Sequence, residues 1–196
     1  MLSSFRKQKL SYLFNILDFD HDGVLQKSDL TGIAENVSIF RCFSPGSEIE
    51  LFVAKTALNI WNWISSRMKE GDLSGYSLDD WLDMWETIST RMLQSRMDLL
   101  IEKAVDDLFY VFDKNHDNYL QKQEYLTLVV SLRVSIKAAD FCFKTLDRNG
   151  DMRISRDELT AAISEFFLSD VTSSPGNFIF GNPEISKFST RSQMTF

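Results

Sequence analysis

Cysteine and histidine are nearly missing from this chain, with two of each in 196 residues. Cys42 and Cys142 lie far apart and lack metal-ligand spacing. Two reduced thiols in a cytosolic protein are therefore expected, although sequence alone leaves a disulfide between them open. With only His21 and His116 available, no Ser/His/Asp or Cys/His set finds support, and an enzyme is not expected. No apolar run approaches the ~20 residues of a membrane span, so no stable membrane insertion is expected. The first residues, Met1-Leu-Ser-Ser-Phe-Arg-Lys-Gln-Lys9, are charged and lack the apolar stretch of a signal peptide. Met1-Leu2 is also not the Met-Gly start of a myristoylated chain. The expectation is a soluble, cytoplasmic protein. Positive charge is short as well: 21 Lys and Arg face 28 Asp and Glu, a formal net charge of −7. Nucleic acid, whose phosphates demand a basic face, is excluded as a partner.

Apolar and aromatic residues are abundant. Hydrophobic residues make up 44%, with 16 Phe and 4 Trp, enough to bury the core of one compact domain or two small lobes. The acidic residues are unevenly spread, and many fall in three twelve-residue stretches. In the first, Asp18 to Asp29, carboxylates alternate at Asp18, Asp20 and Asp22. Gly23 follows where the backbone must turn, Leu25 is the apolar residue at position 8, and Asp29 closes position 12. With the Val24 carbonyl at position 7, this is the spacing that wraps oxygen ligands around one hard cation in an EF-hand loop. Three alternating carboxylates would repel one another without a cation. Asp is one methylene shorter than the usual Glu at position 12. It should supply fewer ligand oxygens, which suits octahedral Mg²⁺ as well as Ca²⁺. A mixed Ca²⁺/Mg²⁺ site is expected here.

A second loop, at 69–80, is placed by Tyr76 at position 8. Its ligand positions carry Lys69, Gly71 and Leu73, so it is expected to bind no ion and to serve as ladder partner to the first loop. The third loop offers Asp113, Asn115, Asp117, the Tyr119 carbonyl and Glu124. Asn118 replaces glycine at position 6, and asparagine tolerates a left-handed backbone at small cost. The fourth offers Asp147, Asn149, Asp151, the Arg153 carbonyl and Glu158. Met152 at its position 6 should cost about 1 kcal/mol or more at positive φ, so binding there is expected to be weakened. In all, three Ca²⁺ sites are expected, with Mg²⁺ competing at the first.

Apolar periodicity sets a helix on each side of every loop. The first runs from Ser4 to Leu17 with Phe5, Leu10, Leu13, Phe14 and Leu17 on one face. Ser28–Val37 exits the first loop, and Ser44-Pro-Gly46 marks a turn. Ser47 and Glu50 form a capping box for a helix reaching about Met68, with Leu51, Phe52, Ala54, Leu58, Trp61 and Ile64 inward. Ser77 and Asp80 cap the next helix, which carries Trp81, Leu82, Trp85 and Ile88. Leu93–Phe112, with a bend near Ser95, should turn Leu99, Leu100, Ala104, Leu108, Phe109 and Phe112 inward. Tyr125–Leu132, Ile136–Leu146 and Leu159–Leu168 complete the set. The fold class is all-α: four helix–loop–helix units in two pairs, 1–94 and 95–168, packed as a compact globule. In each pair a short ladder should join the loops, Leu25 opposite Tyr76 and Leu120 opposite Ile154. Residues 169–196 form a tail, turn-rich at Ser173–Asn177 and polar and mobile from Lys187.

Four such units with a degenerate second loop, the helix motif Trp81-Leu-Asp-Met-Trp85, and the tail Phe166-Phe-Leu-Ser-Asp170 with Gly176-Asn-Phe-Ile-Phe-Gly181 resemble the sarcoplasmic calcium-binding protein family, including calexcitin. The resemblance spans nearly the whole chain. It implies two halves packed together, a C-terminal segment folded against them with Phe178, Ile179 and Phe180 buried, and a role as Ca²⁺/Mg²⁺ buffer or calcium-signal modulator. Met152 departs from the usual glycine.

Three functions compete. A cytosolic buffer or modulator suits the aromatic core and scattered methionines. A sensor binding an unknown protein target would want an adaptable, often Met-rich groove. A carrier of a small apolar ligand could use Trp61, Trp63, Trp81 and Trp85; coelenterazine photoproteins and luciferin-binding proteins resemble this fold. Light-emitting chemistry would want histidines inside, whereas His21 and His116 stand at position 4 of loops and should face solvent. A monomer is expected.

Overall fold

The computed structural model describes residues 1–68, 75–92 and 94–181. The first helix, α1 (Ser4–Leu17), starts where Ser3 Oγ accepts the Arg6 N–H at 3.1 Å. It runs into the first loop, where β1 (Val24–Leu25) precedes α2 (Lys27–Phe40). Ser47 caps α3 (Glu48–Ser65) by accepting the Glu50 N–H, as its sequence signal requires. The Glu50 carboxylate reaches one residue beyond the cap, to the Gly46 N–H. Then come β2 (Tyr76–Ser77), α4 (Leu78–Arg91), α5 (Gln94–Phe112), β3 (Tyr119–Gln121), α6 (Lys122–Ser131), α7 (Ile136–Leu146), β4 (Arg153–Ser155) and α8 (Arg156–Leu168). A short 3-10 helix, Pro175–Phe178, follows. The fold is all-α with two small antiparallel ladders, and among the described residues no helix is long and apolar enough to cross a membrane.

Several expected boundaries and faces shift. The exiting helices α6 and α8 begin three residues earlier than the apolar periodicity suggests, because a polar cap precedes the first apolar residue. Around Ser95, where a bend is expected, α5 is assigned as helix from Gln94 onward. On α3, Leu51 and Ala54 are exposed, while Val53, Ala57 and Ile64 are buried. On α5, Leu99 is 64% exposed, and the buried stripe is Met97, Ile101, Val105, Phe109 and Phe112. Both helices carry apolar residues around most of their circumference, so more than one stripe satisfies a 3.6-residue period.

The chain divides into two units, Met1–Leu100 and Ile101–Phe196. In the first, α1 packs on α4 and α2 on α3. Leu25 pairs with Tyr76 and Val24 with Ser77, the expected register. Beneath the ladder the Trp81 ring lies 6.3 Å from Phe14 and 5.7 Å, edge to face, from Trp85. Trp81 Nε1 donates to the Leu10 carbonyl at 3.0 Å, so the indole is buried with its polar atom satisfied. Each buried indole removes ~150–250 Å² from water, worth at most ~4–6 kcal/mol. The ligand positions of the second loop, Lys69, Gly71 and Leu73, lie outside the described residues.

In the second unit α6 packs on α7, and β3 pairs with β4 with Leu120 opposite Ile154, again the expected register. After α8 the chain folds back along the unit. Asn177, buried, donates through Nδ2 to the carbonyls of Val171 and Thr172 at 3.0 and 3.1 Å. The Gly176 N–H donates to Glu165 Oε2 at 2.8 Å, and Tyr125 Oη donates to the Ile179 carbonyl at 3.0 Å. Ile179 is buried as expected. Phe178 and Phe180 are only half-buried, resting on Phe141 and Phe166. The expected mobile stretch from Lys187 lies outside the described residues. Both cysteines are free: Cys42 is exposed and Cys142 buried.

Candidate metal centres

Three loops share one hydrogen-bond frame, built from the alternation of polar side chains with backbone N–H groups. At position 1, Asp18, Asp113 and Asp147 each accept the N–H of position 6, from Gly23, Asn118 and Met152, at 3.0, 2.9 and 2.9 Å. At position 5, Asp22, Asp117 and Asp151 accept the N–H of position 7, from Val24, Tyr119 and Arg153, at 2.8, 3.0 and 3.0 Å. The carboxylate at position 12 spans the loop. Asp29 takes the N–H groups of Phe19 and Gln26, Glu124 those of Lys114 and Gln121, and Glu158 those of Arg148 and Ser155. Position 12 is thus also the third residue of the exiting helix, capping the residue at position 9. Asp29, one methylene shorter, completes the same two bonds as the glutamates.

Closing so tight a loop requires left-handed backbone at two positions, not one. Position 6 holds it at Gly23, Asn118 and Met152, with φ of 86°, 63° and 66°. Position 4 holds it at His21, His116 and Gly150, with φ of 62°, 57° and 73°. Met152, as its loop position implies, carries positive φ, and the residue is 75% exposed. The two histidines face solvent, as expected. That they too are left-handed has no mark in the letters, because glycine at position 4 appears only in the fourth loop.

The first loop fits a hard cation. One carboxylate oxygen each from Asp18, Asp20 and Asp22 lie within 4.8 Å of one another. Asp18 is buried, and its Oδ1 has no hydrogen-bond partner among the described residues. A buried, unpartnered carboxylate oxygen costs free energy unless a cation or a proton meets it. In the third and fourth loops position 3 is an amide. Asn115 and Asn149 each accept the N–H of position 5 and donate Nδ2 to that residue's carboxylate, at 3.0 Å to Asp117 and 3.1 Å to Asp151. Gln26 and Gln121 at position 9 donate to the carboxylates of Asp22 and Asp117. Of the fifteen residues expected at the three sites, Asp18, Asp20 and Asp22 are brought together as a carboxylate cluster; among the described residues the position-12 carboxylates and the acids of the third and fourth loops form no such group of three.

Environment separates the closing carboxylates. Burial pushes the Asp29 carboxyl up, against the N–H groups of Gln26 and Phe19. Burial also opposes ionisation of Glu158, but hydrogen bonds from Ser155, Arg148 and Asn149 outweigh it and hold that carboxyl below its usual value. Asp117 is likewise held low, burial being overcome by Asn115, Gln121 and the Tyr119 N–H.

A family model described as an EF-hand domain pair matches residues 1–36 and 86–132, and a second, described as an EF hand, matches 138–163. The chain belongs to the EF-hand family. The stretch between the two parts of the EF-hand pair match holds the second loop, with Lys69, Gly71 and Leu73 at its ligand positions. Calerythrin of Saccharopolyspora erythraea is 21% identical over 168 residues, covering 85% of this chain and 94% of calerythrin. The sarcoplasmic calcium-binding protein of amphioxus superposes with a TM-score of 0.69 at 17% identity, over 93% of this chain and 99% of that one. The calcium-loaded apo form of the coelenterazine-binding protein from Renilla muelleri gives 0.70 at 17%, over 92% and 100%. At these identities the two structures speak for the fold. Together with the family matches they make this a calcium-binding EF-hand protein whose fold is that of the amphioxus sarcoplasmic calcium-binding protein.

Proposed function

We propose that this protein is an intracellular calcium buffer or calcium-signal modulator with three ion sites. The first site uses Asp18, Asp20, Asp22, the Val24 carbonyl and Asp29. The second uses Asp113, Asn115, Asp117, the Tyr119 carbonyl and Glu124. The third uses Asp147, Asn149, Asp151, the Arg153 carbonyl and Glu158. The observation that carries the reading is the frame repeated in all three loops. It holds the side chains at positions 1, 5 and 12 through backbone N–H groups, and in the first loop oxygens of Asp18, Asp20 and Asp22 lie within 4.8 Å of one another before any ion arrives. Pre-organisation of that kind lowers the ordering cost of binding. The short Asp29 arm supports Mg²⁺ competition at the first loop, and Met152 at φ 66° supports weaker binding at the fourth.

Calorimetric Ca²⁺ titration with and without millimolar Mg²⁺ tests the reading. Three equivalents of Ca²⁺, one of them displaced by Mg²⁺, are expected; fewer than two equivalents would sink the assignment. Buffer and sensor separate on a hydrophobic matrix, where retention only with Ca²⁺ would favour a sensor that opens a groove for a protein target.

A second reading, a carrier of a small apolar ligand, is favoured by one atom. Among the described residues Trp63 Nε1 is buried without a hydrogen-bond partner, in a ring contact 6.2 Å from Trp85. An apolar molecule bearing one acceptor would satisfy it. Tryptophan fluorescence that stays unmoved on titration with an apolar heteroaromatic dye, in both ion states, would remove this reading.

A further inference from the structure

Position 7 of an EF-hand loop contributes its backbone carbonyl, so its side chain is free for other work. In the second unit both position-7 side chains are used on each other. The Arg153 guanidinium lies 4.1 Å from the centre of the Tyr119 ring, across the ladder that joins the two loops. Tyr119 faces Ser155 and Arg153 faces Gln121, so the contact is a diagonal one between strands. The same guanidinium stands 3.6 Å from Asp151 Oδ2, within its own loop. Arg153 therefore touches the ring of the residue that offers a carbonyl to one candidate site, and a carboxylate of the other.

We propose that Arg153 is a positioning residue that couples ion binding in the third and fourth loops. The inference rests on the reading above that both loops bind Ca²⁺. An ion at the fourth loop draws Asp151 away from the guanidinium, since the two cations compete for one carboxylate. Arg153 is then held mainly by Tyr119, and the contact that orients the third loop's position 7 strengthens. Filling one site thus prepares the other through side chains, in addition to the shared backbone ladder. A guanidinium suits the role because its plane stacks on an aromatic face, which an ammonium cannot reproduce.

The test is a double-substitution cycle on the full chain. Ca²⁺ titration followed by calorimetry, with per-residue amide NMR shifts to separate the loops, gives the coupling factor between the two sites. Tyr119→Leu keeps the position-7 carbonyl and removes the ring, and Arg153→Gln keeps a polar but shorter side chain and removes the charge and the stack. Each is expected to lower the coupling about two- to fivefold, the size of an exposed cation–π contact. The double variant should fall no further than either alone. Arg153→Lys, which keeps the charge, should recover less than half of the loss. Helix content by circular dichroism should be unchanged in all of them. Additive effects of the two single substitutions, or coupling equal to the unsubstituted protein, overturn the proposal while leaving the sites in place. Absence of Ca²⁺ binding at either loop in the unsubstituted protein overturns both this proposal and the site assignment.

Discussion

Asp18 carries a cost in the ion-free protein that a neutral side chain of the same shape would not. Its Oδ2 accepts the Gly23 N–H, but its Oδ1 is buried and unpartnered among the described residues. Asp18→Asn keeps an acceptor for Gly23 and removes the charge. It is expected to raise ion-free stability by about 1 kcal/mol and to abolish one Ca²⁺ equivalent. Urea unfolding in chelator, beside a Ca²⁺ titration, measures both, and a loss of ion-free stability would contradict the account of Oδ1. Met152 is the converse case, a side chain paying for a loop's geometry. Met152→Gly relieves a left-handed residue and is expected to add about 1 kcal/mol and tighten the fourth site; an unchanged affinity would show that strain is not what weakens it. At Cys142 burial pushes the thiol from its usual value of 9.0 up to about 12. In folded protein at pH 8 a thiol reagent should therefore modify Cys42 alone, and both cysteines only after denaturation. The folded state holds this proton more tightly than the unfolded state. That contribution is whole below pH 9.0 and is lost as pH rises toward 12.

At the scale of elements, the segment after α8 depends on a glycine for close approach. A Cβ on Gly176 would lie 2.2 Å from the Ala162 carbonyl oxygen, on the backbone of α8. Gly176→Ala must move one or the other. About 1–3 kcal/mol of destabilisation is expected, with faster proteolysis around residues 171–178; a melting temperature equal to that of the unsubstituted chain would show that the segment shifts freely. Elements of this kind differ in how far their letters announce them. Ser47 and Ser77 sit before apolar runs with an acidic residue three on, so the starts of α3 and α4 could be read directly. Loop spacing alone placed Leu25 opposite Tyr76 and Leu120 opposite Ile154, because the ladder register follows from loop length. The inward faces of α3 and α5 could not be chosen, since an apolar stripe running almost all round a helix satisfies several orientations and only the neighbours decide. The contact of Arg153 with Tyr119 was equally illegible, because 34 positions separate them and a pairing across strands leaves no local mark.

For the whole molecule, the formal charge of −7 changes meaning once ions bind. Three divalent cations would bring the chain close to neutrality. Native-gel mobility toward the anode should then fall markedly in Ca²⁺, and solubility should be lowest in the fully loaded state. Mobility that is the same in Ca²⁺ and in chelator would refute three-site loading. Stability should move the other way. An ion at a hundred times its dissociation constant adds ~2.7 kcal/mol per site, so chelation should lower the melting temperature strongly.

The position-12 carboxylates have a practical bearing on how a calcium-blind version of this protein should be built. Asp29, Glu124 and Glu158 each cap the start of a helix as well as closing a loop. Replacing one would shorten that helix and remove the cation together, and any change in behaviour would have two explanations. Asp20, Asn115 and Asn149 at position 3 are exposed and cap no helix. Alanine at these three positions is the cleaner control, because it is expected to weaken ion binding with the helices left intact.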